Sequence, residues 1–129
     1  MNEHPNVTII RNSVDAVNRG DMHAMAELLA DDVEWHEIGR SEPIRGKQAL
    51  ADRFAQMPPG RSIKVVLHDV VANDVHTIAL TEATAAMGDQ SLTYRTAEIY
   101  HMADGKVTAR WAFSDDTERI NRFFAPAEG

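Results

Sequence analysis

Residues 62–114 read SIKVVLHDVVANDVHTIALTEATAAMGDQSLTYRTAEIYHMADGKVTARWAFS, and this stretch decides the fold. β-Branched and alternating residues run through it, punctuated by turn signals at Asn73-Asp74, Gly88-Asp89 and Asp104-Gly105. The pattern predicts four antiparallel strands over 62–72, 75–87, 91–102 and 106–114. Each exceeds the usual length of about five or six residues, and strands that long must twist and curl. On the last strand Ala109, Trp111 and Phe113 oppose Arg110, Ala112 and Ser114, so both faces are partly apolar. If one face lines an interior, the other still needs cover, and a second subunit is the simplest source.

Working outward toward the N-terminus, Val7, Ile10, Val14 and Val17 recur at helical spacing until Gly20 ends the run. Asp21 is placed to cap a second helix with Met22, Met25, Leu28 and Leu29 as its apolar stripe. Val33 to Ile38 alternates as a short strand. A loop from Gly39 to Arg45 leads to a third helix carrying Ala49, Leu50, Phe54 and Met57, stopped by Pro58, Pro59 and Gly60. Beyond the meander, Asp115-x-x-Glu118 resembles a capping box, and Ile120, Phe123 and Phe124 supply one side of a last short helix. The fold class is α+β: N-terminal helices wrap a curved antiparallel sheet into a cone with an internal pocket.

The 129 residues fit one domain, 1–129, able to bury about two-thirds of the surface of its unfolded chain. A hydrophobic share of 43% and a charged share of 26% exclude disorder, coiled coil and fibre. A net charge of −7 without clustered Lys and Arg argues against nucleic acid and anionic membranes as partners. No apolar run is long enough to span a bilayer, and the polar start from Met1 to Asn6 lacks the order of a secretory signal, so a cytoplasmic location is expected. Cysteine is absent, which removes disulfides and a thiolate nucleophile. The six histidines show neither His-x-His nor His-Glu-x-x-His spacing, so no metal or other cofactor is expected.

Residues 30–46, ADDVEWHEIGRSEPIRG, are similar without a gap to the corresponding region of ketosteroid isomerases and SnoaL-like polyketide cyclases. Asp104-Gly-Lys-Val107 resembles the last hairpin turn of that superfamily, and residues 111–124, WAFSDDTERINRFF, resemble many SnoaL-like tails. The resemblance implies the cystatin-like, nuclear transport factor 2-like fold over nearly the whole chain. It implies the reaction far less sharply, because the superfamily holds isomerases, cyclases, epoxide hydrolases, dehydratases and non-catalytic binders.

Carried over by position, the isomerase base at the end of the first strand falls on Glu37. A carboxylate walled by apolar groups resists ionisation and is suited to shuttling protons. The two isomerase groups that hold the developing enolate fall on Ser13, which is too short to reach it, and on Tyr94, whose hydroxyl is able to donate one bond. The acidic residue of the cyclases corresponds loosely to Asp115 or Asp116, and Asp115 is also well placed to cap the last helix, the role its position favours. Limonene epoxide hydrolases join two carboxylates through an Arg; the meander has no Arg-x-Asp, and Glu82, Glu98 and Arg110 are spaced differently.

The expected site is therefore Glu37, Tyr94 and Asp115 for chemistry, with Ser13, Trp35, Phe54, Thr96, Glu98, Arg110 and Ser114 as ligand contacts. Alternation alone leaves Arg110 free to face either side; facing inward it must pair with Glu37, Glu98 or an acidic ligand. Glu37 also has a plainer role open to it, as a solvated carboxylate beside Arg40 or Arg45. Trp35, Phe54, Met57 and Tyr100 serve as core residues that overlap with pocket lining. His36 is expected to point away from the pocket. The expectation is a small-molecule pocket in a homodimer formed through Ala97, Ile99, Trp111 and Phe113.

Overall fold

The helical spacing of Val7, Ile10 and Val17 produces α1 (Pro5–Arg19) in a computed structural model that describes residues 3–56 and 61–124. Gly20, at φ 71°, ends it in a left-handed conformation, and the Gly20 and Asp21 amides donate to the Val17 and Ala16 carbonyls. Asp21 then accepts from the Ala24 amide at 3.0 Å and starts α2 (Met22–Glu27). This helix is shorter than its apolar stripe. Leu28 closes it and Leu29 opens β1 (Leu29–Trp35), so the first strand lies earlier than the expected 33–38. In the strand, Leu29, Val33 and Trp35 are all buried, a tertiary gain that outweighs local helical spacing.

β2 (Ile44–Arg45) forms inside the segment expected to be loop, pairing antiparallel with Glu34 and Trp35. α3 (Lys47–Ala55) follows and buries Leu50. Met57, Pro58, Pro59 and Gly60, read above as its end, lie outside the described residues.

The meander forms close to its expected bounds as β3 (Arg61–Ala72), β4 (His76–Met87), β5 (Gln90–Ala103) and β6 (Lys106–Ser114), each pair antiparallel. The sheet as a whole is mixed, not purely antiparallel: its order is β2-β1-β6-β5-β4-β3, and β1 runs parallel to β6. A pairing so remote in sequence leaves no turn signal to read. Bulges leave His68 in β3 and Thr108 in β6 without a partner in the register, which deepens the bend of the sheet. On edge strand β3, Asn18 of α1 receives the Val65 amide and donates to the Val65 carbonyl, both at 2.8 Å, in place of a neighbouring strand.

α4 (Thr117–Phe124) closes the described chain. Its cap differs from the expected one: Asp116 accepts from the Arg119 amide at 3.0 Å, whereas Asp115 accepts from the Arg95 amide of β5 at 3.2 Å. The cap falls one residue later, on Asp116, and with Arg119 three residues on no capping box forms, because Asp115 still belongs to the sheet margin. Ile120 is buried, and Gly39 lets α4 approach, since a Cβ there would collide with the Asn121 side chain.

The register assigns the sheet faces. Inside, Thr77, Tyr100 and Arg110 form one row, Ala79, Glu98 and Ala112 the next, and Thr81, Thr96 and Ser114 a third. Outside, Ile78, Ile99 and Trp111 align, then Leu80, Ala97 and Phe113. Arg110 therefore faces inward and Trp111 outward. The inner side of β4 carries only small residues between Thr77 and Ala85, all buried, and small side chains on a concave face leave room in front of them.

Candidate functional site

That room is a cavity of about 230 Å³ between the inner sheet face and the helices α1, α3 and α4. Its buried end is polar. Arg110 Nη2 lies 3.3 Å from Glu98 Oε1 and its Nη1 donates to the His36 carbonyl at 3.0 Å. Tyr100 donates to Glu98 Oε1 at 2.6 Å, Thr96 donates to Glu98 Oε2 at 2.9 Å, and the Thr81 and Thr96 hydroxyls share a short contact. The Arg110 guanidinium also sits 4.5 Å from the centroid of the Trp35 ring, which meets Phe54 edge-on.

Burial alone would push the Glu98 carboxyl up, but the Arg110 charge and the bonds from Tyr100 and Thr96 outweigh it and hold the group below its ordinary value. Burial and the Glu98 charge push the Tyr100 phenol well up. Glu98 is thus a carboxylate that already accepts from Arg110, Tyr100 and Thr96, and it anchors the cavity wall more than it offers a base.

Tyr94, one turn of the pleat nearer the opening, differs. Burial, helped by Glu98, raises its phenol, so it stays protonated, and no side-chain hydrogen bond holds its hydroxyl among the described residues. Glu37 also lines the cavity, just past the end of β1, with Arg53 Nε 3.3 Å from its Oε1. Its partner is Arg53 of α3, not the Arg40 or Arg45 suggested by sequence proximity. Arg45 pairs with Glu34 instead.

Of the expected ligand contacts, Ser13, Trp35, Phe54, Thr96, Glu98 and Arg110 all line the cavity. The Ser13 hydroxyl is turned back onto the Ile10 carbonyl of its own helix at 2.8 Å. Ser114 and Asp115 do not line it. Ser114 lies where β6 runs out, sharing a hydrogen bond with Thr117, and Asp115 is exposed and bound to the Arg95 amide. His36 stacks on Trp111 on the outer face, as expected. Tyr100, read as a core residue overlapping with pocket lining, lines the cavity and bonds its acid, in the alternation set of Tyr94, Thr96 and Glu98. Arg53 and Arg61 were missed, because only the fold brings α3 and the start of β3 together.

The two carboxylates of the cavity are not bridged by one arginine, since Glu98 pairs with Arg110 and Glu37 with Arg53. Among the described residues no three His, Cys, Asp or Glu gather as a metal ion would require, and no helix is long and apolar enough to cross a membrane.

A profile of the SnoaL-like domain matches residues 10–110. The chain belongs to the SnoaL-like domain family. No curated protein sequence matches it. Among solved structures, this SnoaL-like protein resembles a putative polyketide cyclase from Xanthomonas campestris pv. campestris, with a TM-score of 0.77 at 22% identity over 90% of this chain and 94% of that one. It also resembles an LEH-like epoxide hydrolase from M. tuberculosis, with a TM-score of 0.80 at 17% identity over 91% and 87% of the two chains. The Δ5-3-ketosteroid isomerase from Mycobacterium sp. superimposes with a TM-score of 0.71 at 21% identity over 85% and 91%. At these identities the likeness is one of fold.

Proposed function

We propose that this SnoaL-like protein binds a small, largely apolar, oxygenated molecule in the cavity and moves a proton on it without a cofactor, with Glu37 as base and Tyr94 as hydrogen-bond donor. The supporting observation is that both side chains line one cavity, Glu37 with an Oε2 that no hydrogen bond among the described residues occupies and Tyr94 as a protonated phenol. In the step envisaged, Glu37 takes a proton from the carbon next to a carbonyl, and the electron pair of that C–H bond moves to the carbonyl oxygen. Tyr94 stabilises the enolate so formed by donating to it, and the proton returns to carbon.

Deuterium exchange at the α-carbon of 1-tetralone, followed by NMR in D₂O, tests the reading with the protein as it is. Exchange faster than in buffer is expected. A protein that is stabilised against heat by 1-tetralone without accelerating exchange is a binding module, and the catalytic reading then fails. Tyr94→Phe keeps the ring and removes the donor, so 2-naphtholate, an enolate mimic, should bind about tenfold more weakly to it by titration calorimetry. Equal affinity would remove Tyr94 from the site.

A homodimer through the outer sheet face belongs to the same reading. Ile78, Leu80 and Phe113 there are 38%, 42% and 57% exposed, contiguous with Ala97, Ile99 and Trp111 across β4, β5 and β6. Covering such a patch with its own copy removes the cost of leaving it in water. Sedimentation equilibrium at micromolar concentration should give twice the 14.3 kDa of one chain, and Phe113→Glu should return it to 14.3 kDa. A wild-type monomer, or a variant that stays dimeric, contradicts this interface.

A further inference from the structure

The cavity is more basic than the protein around it. The chain carries a net charge of −7, yet among the described residues four arginines, Arg40, Arg53, Arg61 and Arg110, line the cavity against two carboxylates, Glu37 and Glu98. At the buried end Arg110 and Glu98 neutralise each other. Elsewhere on the wall Glu37 pairs with Arg53 and acts electrostatically on Arg61, and Arg40 lines the same cavity.

Arg53 meets Glu37 through Nε, and its two terminal nitrogens make no hydrogen bond among the described residues. Arg61, the first residue of β3, is on the inward side of that strand with Ile63 and Val65. Burial and the nearby Arg53 charge push its guanidinium down from the ordinary value, while Tyr94 and Glu37 pull it back up. Beyond the Glu98–Arg110 pair, Glu37 is the one carboxylate that lines the cavity with Arg40, Arg53 and Arg61 among the described residues, so cations outnumber anions in this part of the wall, which favours an anionic ligand. Behind them the wall is apolar, made by Phe54, Ile63, Val65 and Trp35. Planar guanidinium forks match the planar oxygen pair of a carboxylate.

We propose that the ligand is an organic acid with a compact apolar body, its carboxylate held between Arg53 and Arg61 and its body lying toward Trp35. This rests on the cavity being the ligand site argued above, and it adds the charge of the ligand and the residues that select it. The cavity volume limits the body to about the size of two fused rings.

Titration calorimetry in low-salt buffer with 1-naphthoate and its neutral isostere 1-naphthamide separates the two ideas. The acid should bind about tenfold or more tightly than the amide, and the preference should shrink as salt is added. Arg61→Gln should reduce the preference to within about twofold, and Arg53→Gln, followed in parallel with melting curves for both variants, should reduce it as well. An amide that binds the wild type as well as the acid overturns the acidic ligand but leaves the pocket in place. A preference that survives in both folded variants overturns the role of these arginines. Failure of both compounds to bind overturns the pocket reading and this inference together.

Discussion

Glu37→Gln should lower the rate of α-deuterium exchange in 1-tetralone by about two to four decades, the span that a positioned general base contributes. Glutamine keeps the length and shape of the side chain and its reach into the cavity. It has no oxygen able to take a proton at neutral pH, so only the chemical step is removed. The side chains of Glu37 and Arg53 are 29% and 36% exposed, so breaking their pair leaves Arg53 in contact with water and costs little in stability. Affinity for 1-tetralone, which is neutral, should therefore hold, and the loss should fall on turnover. Exchange at the wild-type rate in the variant would exclude Glu37 as the base. A parallel loss of binding and rate would instead make it a structural residue of the cavity mouth.

How much of this was legible before the structure differs by element. The meander was, because Tyr94, Thr96, Glu98 and Tyr100 alternate with outward residues and the three turns mark its corners. The same alternation implied that an inward Arg110 would need an acid, and Glu98 is that acid. What stayed hidden was non-local. Leu28 and Leu29 fit a helical stripe, and only the parallel pairing of Leu29 with Val107 makes Leu29 a strand residue. Asp115 and Asp116 are adjacent acids, and which one caps α4 is decided by the Arg95 amide, a residue 20 positions earlier in the chain. Arg53 and Arg61 carry no local mark at all. Their proximity to Glu37 and Tyr94 exists only once α3 is laid across the mouth of the sheet.

The buried pair at the other end of the cavity leads to the second large effect. Arg110→Met should destabilise the fold by about 3–5 kcal/mol near neutral pH, because it leaves the Glu98 carboxylate uncompensated in a dry site. The two side chains are only 12% and 14% exposed, so water cannot take over the role of the guanidinium. Against a total stability of about 5–15 kcal/mol that is a large share. The pH dependence distinguishes lost charge compensation from lost packing. In the wild type the folded-state value of Glu98 is depressed, so its contribution is present above the unfolded value of about 4.3 and is lost as pH falls through the lower folded value. Without Arg110, burial dominates and the folded value moves above the unfolded one. The variant then recovers relative stability as pH falls and Glu98 takes up a proton. Urea denaturation near pH 7 and again near pH 5 should show the gap to wild type narrowing at the lower pH. A remainder will persist, from the lost bond to the His36 carbonyl and the lost contact with Trp35. Adding Glu98→Met to Arg110→Met removes the orphaned charge and should recover most of the loss near neutral pH. A gap that does not change with pH, or a double variant no more stable than the single one, would mean that Glu98 and Arg110 are not the charge pair that holds this end of the cavity together.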